Sequence, residues 1–274
     1  MFDQKEFSMT ESDYKFISKT VYDECGIVLS EQKKDMVYSR IARRIRLLQL
    51  RSFSDYIRYL ESNVENEFCY FINAITTNLT SFFREPHHFE FLEQKLLPIM
   101  KRNHADDNRV RIWSAGCSTG MEPYSIAMTL FNKFPGHWDF KILATDLDTN
   151  VLDTAKSGTY EAQSITGIDD SHLSSFFKLD ASSQKYRVKD KLKSLITFKQ
   201  LNLLDEWPMK GPFDVIFCRN VVIYFDLATK NKLFERYAKL LRPNGYLILG
   251  HSETMSRDVK MYKPLGSTIY QKTR

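Results

Sequence analysis

Along the first 76 residues, apolar side chains recur at helical spacing and never alternate as a strand's would. Tyr14, Ile17 and Val21 predict an amphipathic helix that Gly26 can end in the left-handed conformation. Ser30, a good N-cap, opens a second helix reaching about Leu50, with Val37, Ile41, Ile45 and Leu48 on its apolar face. Two further helices are expected around Phe53–Leu60 and Glu65–Ile75, giving an all-helical N-terminal domain. The stretch TTNLTSFFREPHHF, Thr76 to Phe89, breaks this pattern with β-branched and polar residues. It reads either as a capped turn between helices or as a ligand-contacting segment. A helix from Phe89 to about Met100 then leads through the polar linker HADDN to Arg109.

From Arg109 the period changes. Val110, Ile112 and Trp113 predict a short strand, Gly116 and Gly120 bracket a tight turn, and Ile126, Ala127, Leu130 and Phe131 follow at helical spacing. Glu122 and Pro123 suit the first turn of that helix. Strand, glycine loop and helix together present backbone N–H groups and a positive helix end to a ligand. The loop departs from G-x-G-x-x-G, so an ordinary βα turn is the plain alternative. Further strands are predicted at Lys141–Leu147, Leu195–Lys199, Val215–Phe217, Tyr246–Gly250 and Thr268–Gln271, with helices at about Asn150–Lys156 and Leu227–Leu241. Such alternation predicts an α/β fold, a parallel sheet covered by helices on both faces. Residues 157–194 interrupt it with a short helix, Ser171–Lys178, and a strand, Gln184–Val188, read as a small hairpin-like insert.

Ligands of such sheets bind at the carboxyl ends of the strands. Asp146 follows the second strand, Asn202 and Leu203 the third, and Arg219 and Asn220 the fourth. An acid there suits ribose hydroxyls, and an asparagine with an apolar neighbour suits an adenine edge and face. Suitable groups at several strand ends point to an adenosine ligand. In the second helix, Lys33, Arg40, Arg44 and Arg51 fall at one border of the apolar face with Arg43 beside them. That border is either a solvated face snorkelling over the core or a docking surface.

Composition narrows the classes. The 274 residues, 43% of them hydrophobic, suffice for a sizeable core, and the four cysteines form no C-x-x-C pair, which argues against a zinc site or a disulfide framework. A net charge of +5 favours an acidic partner without demanding nucleic acid. No run approaches the roughly 18 uncharged apolar residues of a membrane span, and the N-terminus is acidic where a signal peptide would be basic. A cytoplasmic protein with no direct membrane insertion is expected.

TTNLTSFFRE, STGMEPYSIA, ATDLD, NLL and FCRNVVIYF, in this order, resemble the chemotaxis receptor methyltransferases, the CheR family, over nearly the whole chain. The resemblance implies an all-helical N-terminal domain (1–88), a linker helix and linker (89–108), and a Rossmann-like S-adenosyl-L-methionine (SAM) dependent methyltransferase domain (109–274) carrying a small β-subdomain insert (about 172–194). The activity it implies is methyl esterification of glutamates on the cytoplasmic methylation helices of methyl-accepting chemotaxis receptors, with S-adenosyl-L-homocysteine as product. Carried over by motif, Asn78, Thr80, Arg84, Glu122, Asp146, Asn202, Leu203, Arg219 and Asn220 are implied cofactor contacts. Tyr237 matches a family position near the transferred methyl, but its apolar neighbours Leu233, Phe234, Leu240 and Leu241 equally describe a core tyrosine. On this reading Arg40, Arg43, Arg44 and Arg51 dock the substrate helices. One departure concerns the insert: where family members that hold a receptor's C-terminal pentapeptide have a glycine-containing loop, KLDASSQKYRV has none. Such peptides are therefore expected to bind weakly or not at all.

Methyl transfer to a carboxylate needs no general base, because a glutamate of pKa about 4.3 is already ionised at neutral pH. No metal or nucleophilic residue is expected to take part. A nucleic-acid methyltransferase is the first rival, and the chain lacks both a Pro–Cys pair and the Asn/Asp-Pro-Pro-aromatic run, holding CRNV instead. A module that binds SAM without turning it over is the second.

Overall fold

The structure is a computed structural model describing residues 6–256 and 258–273, so the first five residues of the polar N-terminal tail lie outside the described part. Two compact units divide the chain between Thr77 and Asn78, and the first also takes in Tyr224–Thr229.

The first unit holds α1 (Glu11–Cys25), α2 (Lys34–Leu47), α3 (Phe53–Ser62) and α4 (Val64–Ile75). Thr10 and Asp13 form a reciprocal capping box at the start of α1, and Gly26 ends it at φ 69°. The Ser30 side chain makes no capping hydrogen bond, and a 3-10 turn, Glu31–Lys33, precedes α2. Ile17, Val21, Val37, Ile41, Ile45, Phe53 and Phe71 are fully buried between the helices. Truncating one of these to alanine costs about 2–5 kcal/mol, as transfer and cavity terms add.

The second unit opens with α5 (His87–Phe91), a π-helical turn (Leu92–Leu96) and α6 (Leu97–Asn103). It continues through β1 (Arg109–Ala115), α7 (Met121–Leu130), β2 (Asp139–Asp146) and α8 (Thr149–Ser157). The insert follows, with β3 (Thr159–Glu161), α9 (Asp170–Phe176), β4 (Phe177–Asp180), β5 (Lys185–Val188) and α10 (Asp190–Lys193). The remainder is β6 (Ile196–Gln200), β7 (Phe213–Cys218), α11 (Leu227–Leu240), of which the first three residues belong to the first unit, β8 (Leu241–Leu249), β9 (Tyr262–Gly266) and β10 (Ile269–Lys272). Phe82 and Phe89 join this unit's core, Phe82 meeting Tyr160 and Phe177 edge-on. Both lie in the unit that begins at Asn78.

The seven-stranded sheet has the order β6-β2-β1-β7-β8-β10-β9. Its first five strands are parallel. The last two are antiparallel, which corrects the expectation of an all-parallel sheet. Ser267 and Thr268, both at positive φ, form a hairpin turn too short for anything but an antiparallel return. β9 carries Pro264 and little alternation, as an edge strand can. The insert is a three-stranded antiparallel sheet, β3-β5-β4, beginning at Thr159. It is larger than the hairpin expected, because Gly158 ends α8 in the left-handed conformation and feeds directly into β3. Chain order reverses between β1 and β7, which opens a cleft at their carboxyl ends. Among the described residues no helix is long and apolar enough to cross a membrane.

Candidate functional site

At the end of β1 the chain turns at Gly116, whose φ is 93° and whose missing Cβ would stand 2.3 Å from Val221 Cγ2. Gly120, at φ 87°, would meet Ala155 Cβ at 2.8 Å. Only glycine fits either place, and the loop between them leads into the buried first turn of α7.

Asp146, at the end of β2, accepts the Ser118 N–H at 2.7 Å and the Asp148 N–H at 3.0 Å. Burial pushes its carboxyl up to about 6, against the pull of these donors. Asp148 caps α8 through the N–H groups of Asn150 and Val151, and its other oxygen accepts from Asn78 Nδ2 at 2.7 Å. Ser118 Oγ donates to the Asn78 carbonyl at 2.9 Å. The segment after α4 is thereby tied to both the glycine loop and the β2 end, and Thr80 lies half-buried within it. At the neighbouring strand end, Leu201 donates to the Asp146 carbonyl at 2.9 Å. Asn202 follows, bonded to Leu204 N–H and Asp205, and Leu203 is buried beside it.

A second cluster centres on Arg219, which is 5% exposed. Its guanidinium is 3.1 Å from Glu122 and 3.3 Å from Glu85, donates to the Arg84 carbonyl, and lies over the Phe89 ring. Burial raises the Glu122 carboxyl, with Arg219 and the Ser114 hydroxyl opposing. Burial would also raise Glu85, but hydrogen bonds from His251 and the Arg219 charge hold it down to about 2. Arg84 itself donates to the Leu79 carbonyl at 2.9 Å. Asn220 adopts φ 60°, and Glu253 accepts its N–H at 2.8 Å together with those of Gly250 and Ile223. The Glu253 carboxylate thus fastens the end of β7 to that of β8.

The structure therefore gathers Asn78, Thr80, Asp146, Asn202 and Leu203 into one group and Arg84, Glu122, Arg219 and Asn220 into another, all in the second unit. Tyr237 is not in either group. It is fully buried, packed against Trp113 and Trp207, and its hydroxyl donates to Cys218 Sγ at 3.2 Å. Two of the four docking arginines are also redirected. Arg40 donates to the carbonyls of Ile75 and Thr76 at 2.6 and 2.5 Å, capping α4, and Arg44 pairs with the buried Glu67 at 2.6 Å. Arg43 and Arg51 are exposed, and Lys33 lies over the Tyr224 ring. Sequence reasoning missed Glu85, Ser118, Asp148 and Glu253. The paired acids of ATDLD and the Arg–Glu pair were visible signals for Asp148 and Glu85, whereas nothing local marks Glu253, whose donors are backbone groups.

Two family models match this chain: CheR methyltransferase, all-alpha domain, over residues 12–76, and CheR methyltransferase, SAM binding domain, over residues 78–271. A chemotaxis protein methyltransferase of Salmonella typhimurium is 40% identical, covering 97% of this chain and 92% of its own. The protein of that name from Escherichia coli is 41% identical with the same coverage. Chemotaxis protein methyltransferase 2 of Pseudomonas aeruginosa is 42% identical, covering 98% of this chain and 96% of its own. The glycine-loop cleft, the helical unit before it and these relatives agree: the chain belongs to the CheR family and is a SAM-dependent methyltransferase.

Proposed function

We propose that this enzyme methylates glutamate side chains on the cytoplasmic helices of methyl-accepting chemotaxis receptors, producing glutamate methyl esters and S-adenosyl-L-homocysteine. The observation that carries the reading is the ring of polar groups at the β1/β7 reversal in a chain of this family. The cleft fits SAM on its own chemistry: Thr119 Oγ1 and Arg219 Nε are buried without a hydrogen-bond partner among the described residues, beside a loop that admits no side chain at Gly116.

Asp146 would hold the ribose hydroxyls, since each of its oxygens bonded to one N–H retains a second lone pair. Asn202 and Leu203 would hold the adenine edge and face. Arg84 would grip the cofactor's carboxylate and Glu122 its ammonium, with Asn78, Thr80, Arg219 and Asn220 completing the wall. When bound, SAM supplies an electrophilic methyl on a sulfonium. The protein's part is to orient an already ionised carboxylate and exclude water, which calls for neither a metal nor a base among these residues. Arg43 and Arg51 of the helical unit are the docking residues that this reading retains. The β4–β5 turn, a glycine-free Ala181–Gln184, supports the view that receptor C-terminal peptides are not bound tightly. A calorimetric titration giving micromolar affinity would contradict that view.

The deciding experiment incubates the protein with methyl-labelled SAM and membranes containing the receptors of its own cell. Mild alkali should release the label as methanol. Label that survives alkali on the modified protein would rule out a carboxyl ester.

A further inference from the structure

His88 is fully buried, and its Nε2 is 2.9 Å from the Ser267 carbonyl, which can only accept. That contact fixes the ring as the Nε2–H tautomer. Its Nδ1 therefore carries a lone pair, and among the described residues this buried atom has no hydrogen-bond partner. It faces Glu85 Oε2 at 3.4 Å. That oxygen also accepts the His251 N–H at 3.1 Å, so the Nδ1 lone pair is the group left for an intervening cation to satisfy. The exposed His87 is the next residue, and Glu85, His87 and His88 each bring one donor atom to within 4.8 Å of the others.

We propose that Glu85, His87 and His88 form a binding site for a divalent transition metal of the zinc class, separate from the chemistry of methyl transfer. Donors at about 2.0–2.1 Å from a tetrahedral zinc lie roughly 3.3–3.4 Å from one another, which is the His88–Glu85 separation. Two imidazoles and a carboxylate are the donor set zinc prefers, with a fourth position left for water. The orienting groups are already in place. The Ser267 carbonyl holds His88 from behind, and His251 Nδ1 holds the other Glu85 oxygen at 3.0 Å.

Zinc would take the Glu85 oxygen that now lies 3.3 Å from Arg219 and would set a dication beside that guanidinium. Its occupancy is therefore expected to weaken cofactor binding, a consequence that rests on the cofactor reading above. The metal site itself does not depend on that reading.

The test titrates zinc chloride into the untagged full-length protein, in competition with a chromophoric chelator. One zinc should bind per chain, and His87→Ala, on the surface, should lower its affinity at least about tenfold without loss of methyl transfer. Glu85→Gln should lower it as well, and serves where a His88 variant fails to fold. No stoichiometric uptake, or equal affinity in wild type and His87→Ala, would overturn the site. S-adenosyl-L-homocysteine titrated with and without zinc reads the coupling: weaker binding with zinc in wild type only supports it, and unchanged binding in wild type refutes it.

Discussion

The guanidinium of Arg219 stands 3.1 Å from the Glu122 carboxylate, joining the end of β7 to the first turn of α7 with both side chains buried. Removing one partner of such a pair leaves a buried charge uncompensated, which costs about 3–5 kcal/mol. Arg219→Ala is expected to lose that much in urea unfolding. Adding Glu122→Gln should restore part of it, because the stranded charge is gone. A double variant no more stable than the single one would show that the pair is not the cause.

Asp146 provides a pH signature for the proposed cofactor site. Its folded-state carboxyl is raised to about 6 from an ordinary value near 4, so between these values the folded protein binds more protons than the unfolded chain. Its contribution to stability is thus full below pH of about 4 and is lost as pH rises through about 6. Ribose hydroxyls donate best to the ionised form, so cofactor affinity should move the opposite way and strengthen as pH rises through about 6. Asp146→Asn should flatten both trends. Asp146→Ala should cost about 1–3 kcal/mol of cofactor affinity by calorimetry, as for a lost charge-assisted hydrogen bond.

What could be read from sequence was what is encoded locally. The end of α1 at Gly26 and the placement of Asp146 at the close of β2 follow from periodicity and single-residue chemistry. β9 was not readable, because Pro264 and Lys263 hide a strand held only by its neighbour β10. Nor were the roles of Arg40 and Arg44. A helical wheel marks the border of an apolar face, but which residue covers that border depends on Glu67 and the end of α4, set by packing rather than spacing. Glu253 is the extreme case, since a carboxylate that binds backbone N–H groups across two strand ends leaves no pattern in side chains.

Tyr237 tests the distinction between a core and a catalytic tyrosine. Its hydroxyl donates to a buried sulfur, and burial raises it well above the ordinary tyrosine range. Tyr237→Phe keeps the ring between Trp113 and Trp207 and should cost about 1 kcal/mol of stability or less. Methyl-transfer kcat and KM should both stay at wild-type values. A large fall in kcat with unchanged stability would return Tyr237 to the reaction.

The arginines of the helical unit divide into two pairs with opposite expected behaviour. Arg44 neutralises Glu67, whose side chain is 3% exposed, and Arg40 supplies donors to the last carbonyls of α4. Arg40→Ala with Arg44→Ala should therefore unfold more easily, the Arg44 change alone by about 3–5 kcal/mol. Arg43 and Arg51 are exposed and can meet acidic side chains on a substrate helix. Exposed charge pairs give only about 0–1 kcal/mol each and weaken as salt rises, so their effect lies in encounter and orientation. Arg43→Ala with Arg51→Ala should raise the receptor KM and flatten its salt dependence, with the melting temperature and SAM affinity unchanged. Measuring KM at low and high salt beside thermal unfolding on the same preparations separates the pairs. An unaltered KM in the exposed pair would remove this helix from substrate docking.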